Sequence, residues 1–372
     1  MTDTPPEPDR VEGAPHPRDT HVLIGQQAAE AEFLDAFRGG RLHHGWLLTG
    51  PRGVGKATLA WKIARFLLAT PDHDGGMFAP APPDTLDIPD SHPVARRLAA
   101  RSEGRLVLLR RPWDEKAARL KQDITVDEVR RMKSFFALSA ADGGRRVAII
   151  DAADDLNTSA ANALLKLLEE PPAGVTMLLV AHQPAGLLPT IRSRCRTLRL
   201  GPLSAIDMGR ALAQAGAEAG DPVAMAQLAG GSVGEAIRIA NLDGEAVYRQ
   251  LVDLFATLPR LDRTRALALA EAAAGRGAEP RFDLTLRLLD LFLARLARFG
   301  ATRAAPPEAC RGEADLLARL APDTGAARVW AELAQTLGLR ARRGRAVNLD
   351  PAALLLDMVL KIDATAGMLA QR

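Results

Sequence analysis

Between His21 and Leu200 the apolar positions change period several times, and each change predicts an element. Ala29, Phe33, Leu34 and Phe37 fall on one side of a helix over 28–37, which Gly39-Gly40 ends. Trp46-Leu47-Leu48-Thr49 is a short apolar run of the kind a buried strand shows. It passes through glycine-rich residues into strong helix formers over 57–68. Residues 70–90, rich in Pro, Asp and Gly, read as a surface excursion. Leu106-Val107-Leu108-Leu109 predicts a second strand. Thr125 and Glu128 form a capping box ahead of a helix through Val129, Met132 and Phe136.

Asp142-Gly143-Gly144 turns into a buried strand over 145–151 that ends in a carboxylate. Asn157-Thr158-Ser159 caps a helix over 160–170, stopped by Pro171-Pro172. A strand over 175–181, a short helix over 189–194 and an alternating strand over 196–200 follow. Strands that alternate with helices predict βαβ units and a parallel sheet. After Gly201-Pro202 the pattern turns helical throughout, with amphipathic stretches such as 281–299 and 352–369. The expected fold class is therefore α/β, a parallel-sheet P-loop domain over 19–201. A small helical domain over 202–242 and an all-α domain over 243–372 complete it. Residues 1–18, polar and proline-rich, read as a disordered tail, too poor in apolar residues to offset ordering entropy.

Composition narrows the function classes. Hydrophobic residues make up 47% of the 372 and aromatics 4%, so the apolar mass is Ala and Leu and favours helix. Lys+Arg is 48 against Asp+Glu 45, a surplus too small to mark a nucleic-acid binder. The two cysteines, Cys195 and Cys310, are too few for a disulfide framework or a zinc site and fit a reducing interior. No secretory signal is recognisable, and no apolar run approaches the ~20 residues that cross a bilayer. A soluble, cytoplasmic protein without membrane association is expected.

The candidate chemistry lies after the first strand. Gly50-Pro51-Arg52-Gly53-Val54-Gly55-Lys56 fits the first seven positions of a Walker A phosphate loop. Gly50, Gly53 and Gly55 let backbone amides turn toward an anion, and Lys56 reaches its terminal phosphates. A plain glycine turn opening a helix satisfies the same residues, but the strand-loop-helix order favours the phosphate loop. The eighth position, normally a Ser or Thr that binds Mg²⁺, is Ala57. Thr58 lies one residue on, about 100° further round the helix, and is a poor substitute. The strand ending at Asp151 has the form of a Walker B strand, whose carboxylate belongs to the magnesium shell. The next residue, where a hydrolysing enzyme needs a base, is Ala152. Asp154 and Asp155 read as charges favourable near a helix N-terminus. ATP or ADP at this degenerate loop is an open possibility; hydrolysis in cis is not expected.

Residues 160–172, the strand after them, and Leu188-Pro189-Thr190-Ile191-Arg192-Ser193-Arg194-Cys195 resemble the bacterial clamp-loader ATPases of the AAA+ family. Ser193-Arg194-Cys195 matches that family's Ser-Arg-Cys signature. The resemblance implies that Arg194 is an arginine finger acting in trans on a neighbour's ATP, an effect worth ~10³ or more in rate. Without the motif, Arg194 would read as an exposed arginine beside Arg192, Arg196 and Arg199. The resemblance further implies a C-terminal collar and partners of the gamma/tau and delta types. Through the complex it implies the sliding clamp and primed DNA. Several features depart from the active members. No cysteine occurs over 70–117, so the family's zinc module is not expected. Gly231-Ser232-Val233 is followed by Gly234 rather than a sensing arginine, and His182-Gln183 stands where a hydroxyl is usual. The implied role is a non-hydrolysing subunit of a DNA polymerase holoenzyme. The alternative is an active gamma/tau-type motor that uses Thr58 and Asp154 in place of the missing groups. A free-standing DNA-binding adaptor fits less well, given the near-neutral charge and few aromatics.

Overall fold

In the computed structural model the described residues are 7–70, 83–138, 144–217, 220–275 and 277–371. They form two compact units. The first runs to Ala211 and takes in Ser232–Gly234; the second holds Leu212–Gly231 and the residues from Glu235 onward.

In chain order the first unit contains α1 (Gln27–Arg38), β1 (Gly45–Thr49), α2 (Lys56–Ala69), α3 (Pro93–Ala99), β2 (Leu106–Leu109), β3 (Trp113–Asp114), β4 (Arg119–Leu120), α4 (Val126–Leu138), β5 (Arg146–Asp151), α5 (Thr158–Glu169), β6 (Val175–Val180), α6 (Pro189–Arg192) and β7 (Arg196–Arg199). Five strands form one sheet in the order β2-β5-β6-β1-β7, every pair parallel. β3 and β4 make a small antiparallel pair of their own. The expected α/β class with a parallel sheet is what forms.

The sheet is covered on both faces, as all-parallel sheets require. Because side chains alternate along a strand, Trp46 and Leu48 enter one core with Val147, Ile149, Leu178 and Val180. Leu47 enters the other with Ala148, Ile150, Met177 and Leu179. The first core is closed by α1 and α2 and the second by α4 and α5. Asn157 caps α5 as expected, its Oδ1 accepting from Ala160 N at 2.9 Å. Glu128 does not reach back as a capping box would; its carboxylate pairs with Arg131.

One expectation is corrected. The tail does not remain disordered as far as Arg18: from Glu7 onward the chain is ordered against the sheet domain, with a 3-10 turn at Pro17–Asp19. Residues 1–6 lie outside the described set. The stretch is held by charge rather than by apolar area, as the next subsection describes. α2 is buried nearly all round: the N-terminal stretch covers Arg65, while Glu30 and Asp87 cover Lys62. Arg65 Nη2 donates to the Arg18 carbonyl at 2.6 Å, and Lys62 Nζ meets Glu30 at 2.6 Å and Asp87 at 2.8 Å. Of the excursion expected over 70–90, residues 71–82 lie outside the described set, while Asp84 pairs with Arg38 at 2.5 Å.

After α7 (Ala205–Gln214), whose last residues enter the second unit, come α8 (Pro222–Leu228), α9 (Val233–Asn241), α10 (Gly244–Phe255), α11 (Arg263–Ala274), α12 (Glu279–Thr302), α13 (Glu313–Leu320), α14 (Thr324–Ala346) and α15 (Pro351–Ala370). No helix among the described residues is long and apolar enough to cross a membrane. Phe255 and Phe292 pack with ring centroids 5.0 Å apart, and the buried Trp330 donates from Nε1 to the Leu320 carbonyl at 2.8 Å.

Candidate functional site

The glycine loop follows β1 directly. Gly50, Gly53 and Gly55 all have positive φ (139°, 79° and 102°), which turns the chain into α2 with Lys56 as its first residue. All three are also closely covered, Gly55 by Leu23 Cδ1, 2.7 Å from where its Cβ would stand. A Cβ at Gly50 would lie 2.2 Å from the Leu200 carbonyl oxygen, and one at Gly53 would lie 2.3 Å from Ser232 Oγ. Gly234 N donates to the Gly53 carbonyl at 3.1 Å. The Gly-Ser-Val-Gly stretch, where a sensing arginine was missing, thus packs backbone to backbone on the loop.

Lys56 is buried, and its Nζ donates to the Gly50 carbonyl at 2.7 Å and the Pro51 carbonyl at 2.6 Å. Burial lowers its pKa to about 8, against the attraction of Asp151 and Asp154. Asp151, buried at the end of β5, is pushed up to about 7 by burial and then by the neighbouring charge of Asp9. Ala57 and Thr58 are half-buried on α2, and Ala152 is buried. The donor set fits a magnesium-bound triphosphate poorly. The metal-binding hydroxyl is replaced at Ala57, and the lysine is bonded to the loop's own carbonyls.

Asp154 is engaged elsewhere. Its Oδ2 accepts from the backbone N–H of His182 and from that of Gln183 at 3.1 Å, so it ties the end of β6 to the turn after β5. Asp155 pairs with Arg111 at 3.1 Å. Burial, together with Lys56 and Arg52, lowers His182 to about 4, which leaves it neutral at pH 7.

A charged cluster that spacing along the chain does not reveal lies beside Asp151. Glu7 accepts from Arg18 Nη2 at 2.9 and 2.7 Å and from Arg110 Nη2 at 3.0 Å. Asp9, its side chain 1% exposed, meets Arg110 Nη1 at 2.8 Å and His16 Nε2 at 3.1 Å. Burial opposes ionisation of Asp9, but the His16 hydrogen bond and the charges of His16 and Arg110 hold its pKa below the ordinary carboxylate range. The one hint in the sequence is the mixture of acids and bases in a stretch otherwise too polar to fold.

Ser193, Arg194 and Cys195 lie between α6 and β7. The Cys195 thiol, raised to about 12 by burial, is a packing group rather than a nucleophile. Its Sγ would lie 3.3 Å from a Cβ at Gly45, and the Arg194 carbonyl 3.4 Å from it. Arg194 therefore sits beside the first residue of β1. The glycine loop leaves the last residue of that strand. β1 and β7 are parallel, with Trp46 opposite Arg196 and Thr49 opposite Arg199. At ~3.3 Å per residue the two sites are roughly 16 Å apart, at opposite ends of the sheet. The structure thus brings Gly50, Gly53, Gly55, Lys56 and Asp151 together and places Arg194 away from them.

A family model described as DNA polymerase III, delta subunit, matches residues 25–204. The DNA polymerase III subunit delta' of Pseudomonas aeruginosa is 38% identical over 159 residues, 42% of this chain and 43% of that protein. The delta' subunit of Escherichia coli K12 is 32% identical over 171 residues, 46% of each. Over this region the chain is similar to delta-prime-type DNA polymerase III subunits. The DNA polymerase III subunit tau of Salmonella typhimurium is 32% identical over 268 residues, 69% of this chain and 38% of tau. The chain spans less than half the length of each of these relatives. The glycine loop, Asp151 and the Ser-Arg-Cys triplet all fall within the matched residues.

Proposed function

We propose that the chain is a non-hydrolysing delta-prime-type subunit of a DNA polymerase III clamp loader. It supports ATP-dependent loading of the sliding clamp onto primed DNA beside gamma/tau- and delta-type subunits. In this reading residues 202–242 form the lid and residues 243–372 the collar. It carries no polymerase or ATPase chemistry of its own and gives Arg194 to the ATP of an adjacent subunit.

The observation that carries the reading is the position of Arg194. Its backbone stands a full strand length, roughly 16 Å, from its own glycine loop, and its side chain is 37% exposed and held by Thr190 and Glu169 rather than by the loop. A neighbour's γ-phosphoryl brought to that side chain would meet a donor fork suited to spreading negative charge. The state of the chain's own loop agrees. Lys56 is satisfied by loop carbonyls, Ala57 and Ala152 supply neither metal ligand nor base, and Asp154 is bonded to backbone. The gamma/tau-type motor alternative needs Thr58 and Asp154 to take over those roles, and Asp154 is committed to the end of β6. Any ATP or ADP at the loop would require Lys56 to leave its two carbonyls.

Arg194→Ala in a reconstituted loader is expected to leave assembly intact and lower the ATPase rate at least tenfold. Turnover at the parent rate would remove the finger. Magnesium-dependent phosphate release by the isolated chain, abolished by Lys56→Ala, would establish the motor instead.

A further inference from the structure

Arg194 is gripped from two elements. Its Nη1 donates to the Thr190 carbonyl in α6 at 3.1 Å, and its Nη2 meets Glu169 Oε1, on the last residue of α5, at 2.9 Å. The backbone behind it is fixed as well. A Cβ at Gly45 would stand 3.0 Å from Leu168 Cδ2 and 3.4 Å from the Arg194 carbonyl, so α5, β1 and the Arg194 turn already touch at van der Waals distance.

Helix stability does not explain Glu169. The C-terminal end of a helix carries partial negative charge and disfavours an anion in its last turn. Core packing does not explain it either, since Glu169 is 47% exposed and Arg194 37%. What the carboxylate does is orient. An unrestrained arginine spreads over many rotamers, whereas this one is pinned at both terminal nitrogens. A guanidinium has five N–H donors, so these contacts leave donors for a phosphoryl oxygen.

We propose that Glu169 is the positioning residue for Arg194, holding the guanidinium on the open end of the sheet so that it meets the neighbouring subunit's γ-phosphoryl already oriented. Donors aimed in advance need no reorganisation as charge develops in the transition state. The inference rests on the arginine-finger reading and adds to it a second residue that does not itself touch the nucleotide.

The test is a double-mutant cycle in the reconstituted loader with the full chain, measuring ATPase kcat and KM for ATP separately. Glu169→Ala is expected to lower kcat about fivefold, the equivalent of ~1 kcal/mol, with KM within twofold of the parent. Glu169→Gln, which keeps an oxygen acceptor at the same reach, should fall between the two. Arg194→Ala should cost more, and the double variant should match Arg194→Ala alone, because Glu169 acts through Arg194. Co-purification and melting temperature read whether each variant still folds and assembles. A Glu169→Ala loader at or above the parent kcat overturns the inference. So does a double variant that loses the product of the two single effects. If Arg194→Ala lowers the rate in the same assay, the finger stands without its positioning residue; if it does not, both fall.

Discussion

Glu313 is the most completely enclosed charge in the helical unit, and replacing it by Gln tests how that unit is held. Its side chain is 0% exposed. Oε1 accepts from Tyr248 Oη at 2.5 Å and Arg295 Nε at 2.6 Å; Oε2 accepts from Arg295 Nη2 at 2.9 Å and Ala309 N at 2.7 Å. Arg295 also donates to the Pro307 carbonyl at 2.7 Å and Gln227 Oε1 at 3.1 Å. One carboxylate thus joins α10, α12 and the approach to α13. Glutamine keeps one acceptor oxygen but turns an NH₂ toward donors and leaves the Arg295 charge buried without its counter-charge.

Removing one partner of a buried pair costs about 3–5 kcal/mol. At about 2–4 °C per kcal/mol for a unit of this size, the melt should fall by roughly 6–20 °C. Tyr248→Phe removes one neutral donor and leaves the ion pair whole, so it should cost about 1 kcal/mol. Two compact units need not melt as one. The measurement is therefore amide hydrogen exchange on α10, α12 and α13, alongside the melt. Glu313→Gln should lose protection in those helices and not in the parallel sheet. A melt lowered by less than about 2 °C with unchanged exchange, or a Tyr248→Phe cost equal to that of Glu313→Gln, would refute the assignment of stability to the ion pair.

Two further outcomes follow from the sheet unit. Asp151 holds its proton up to about pH 7 in the folded chain but releases it near pH 4 once unfolded, so its contribution is most favourable at low pH. That advantage is lost as pH rises through about 7; Asp151→Asn should therefore raise the melting temperature at pH 8 and barely change it near pH 4. The upper limit is about 4 kcal/mol, and an equal shift at both pH values would dismiss the cause given. Arg110→Ala takes one cation from both Glu7 and Asp9 and should weaken the N-terminal stretch by about 1–3 kcal/mol. Limited proteolysis should then cut within residues 7–20 faster than in the parent, and unchanged cleavage would show that the ion cluster does not hold the stretch.

What was legible in the sequence is what local period encodes. The order β1, glycine loop, α2 follows from Trp46 to Leu68, and the Asn157 cap from one side chain three residues ahead of the amide it serves. The parallel pairing follows from the alternation of element types. Spacing says nothing about partners distant in the chain. Arg110 lies 101 residues from Asp9, so a tail read by composition looks unable to fold although opposite charges elsewhere secure it. The pattern of α2 misleads in the same way: Thr58, Lys62 and Arg65 fall on one side and read as its solvent face, whereas Arg18, Glu30 and Asp87 cover that side through hydrogen bonds and ion pairs. α3 and the β3–β4 pair were missed because each is too short to show a period. Arg194 is singled out by its motif and Glu169 by nothing, since a salt bridge from the last residue of α5 to the turn after α6 leaves no trace in the pattern of either segment.

The lysine-bearing glycine loop, with Ala57 and Ala152 at its side, has a physical role in the fold that needs no nucleotide. Lys56 is the first residue of α2, where backbone N–H groups lack partners and carbonyls of the preceding turn face inward. Its ammonium satisfies two of those carbonyls, Gly50 and Pro51, and so offsets much of the cost of burying both the charge and the turn. The glycines are equally bound to the fold. At Gly50 the Leu200 carbonyl leaves no room for a side chain, and at Gly53 the Ser232–Gly234 segment approaches too closely for one. Ala57 and Ala152 differ in kind, because a hydroxyl or carboxylate at either place would serve metal or water rather than packing. The same logic separates Arg194 from the loop. Its guanidinium, 37% exposed, is held by the Thr190 carbonyl and Glu169 and has no bond to the glycine loop, as the proposed role beside a neighbouring subunit requires.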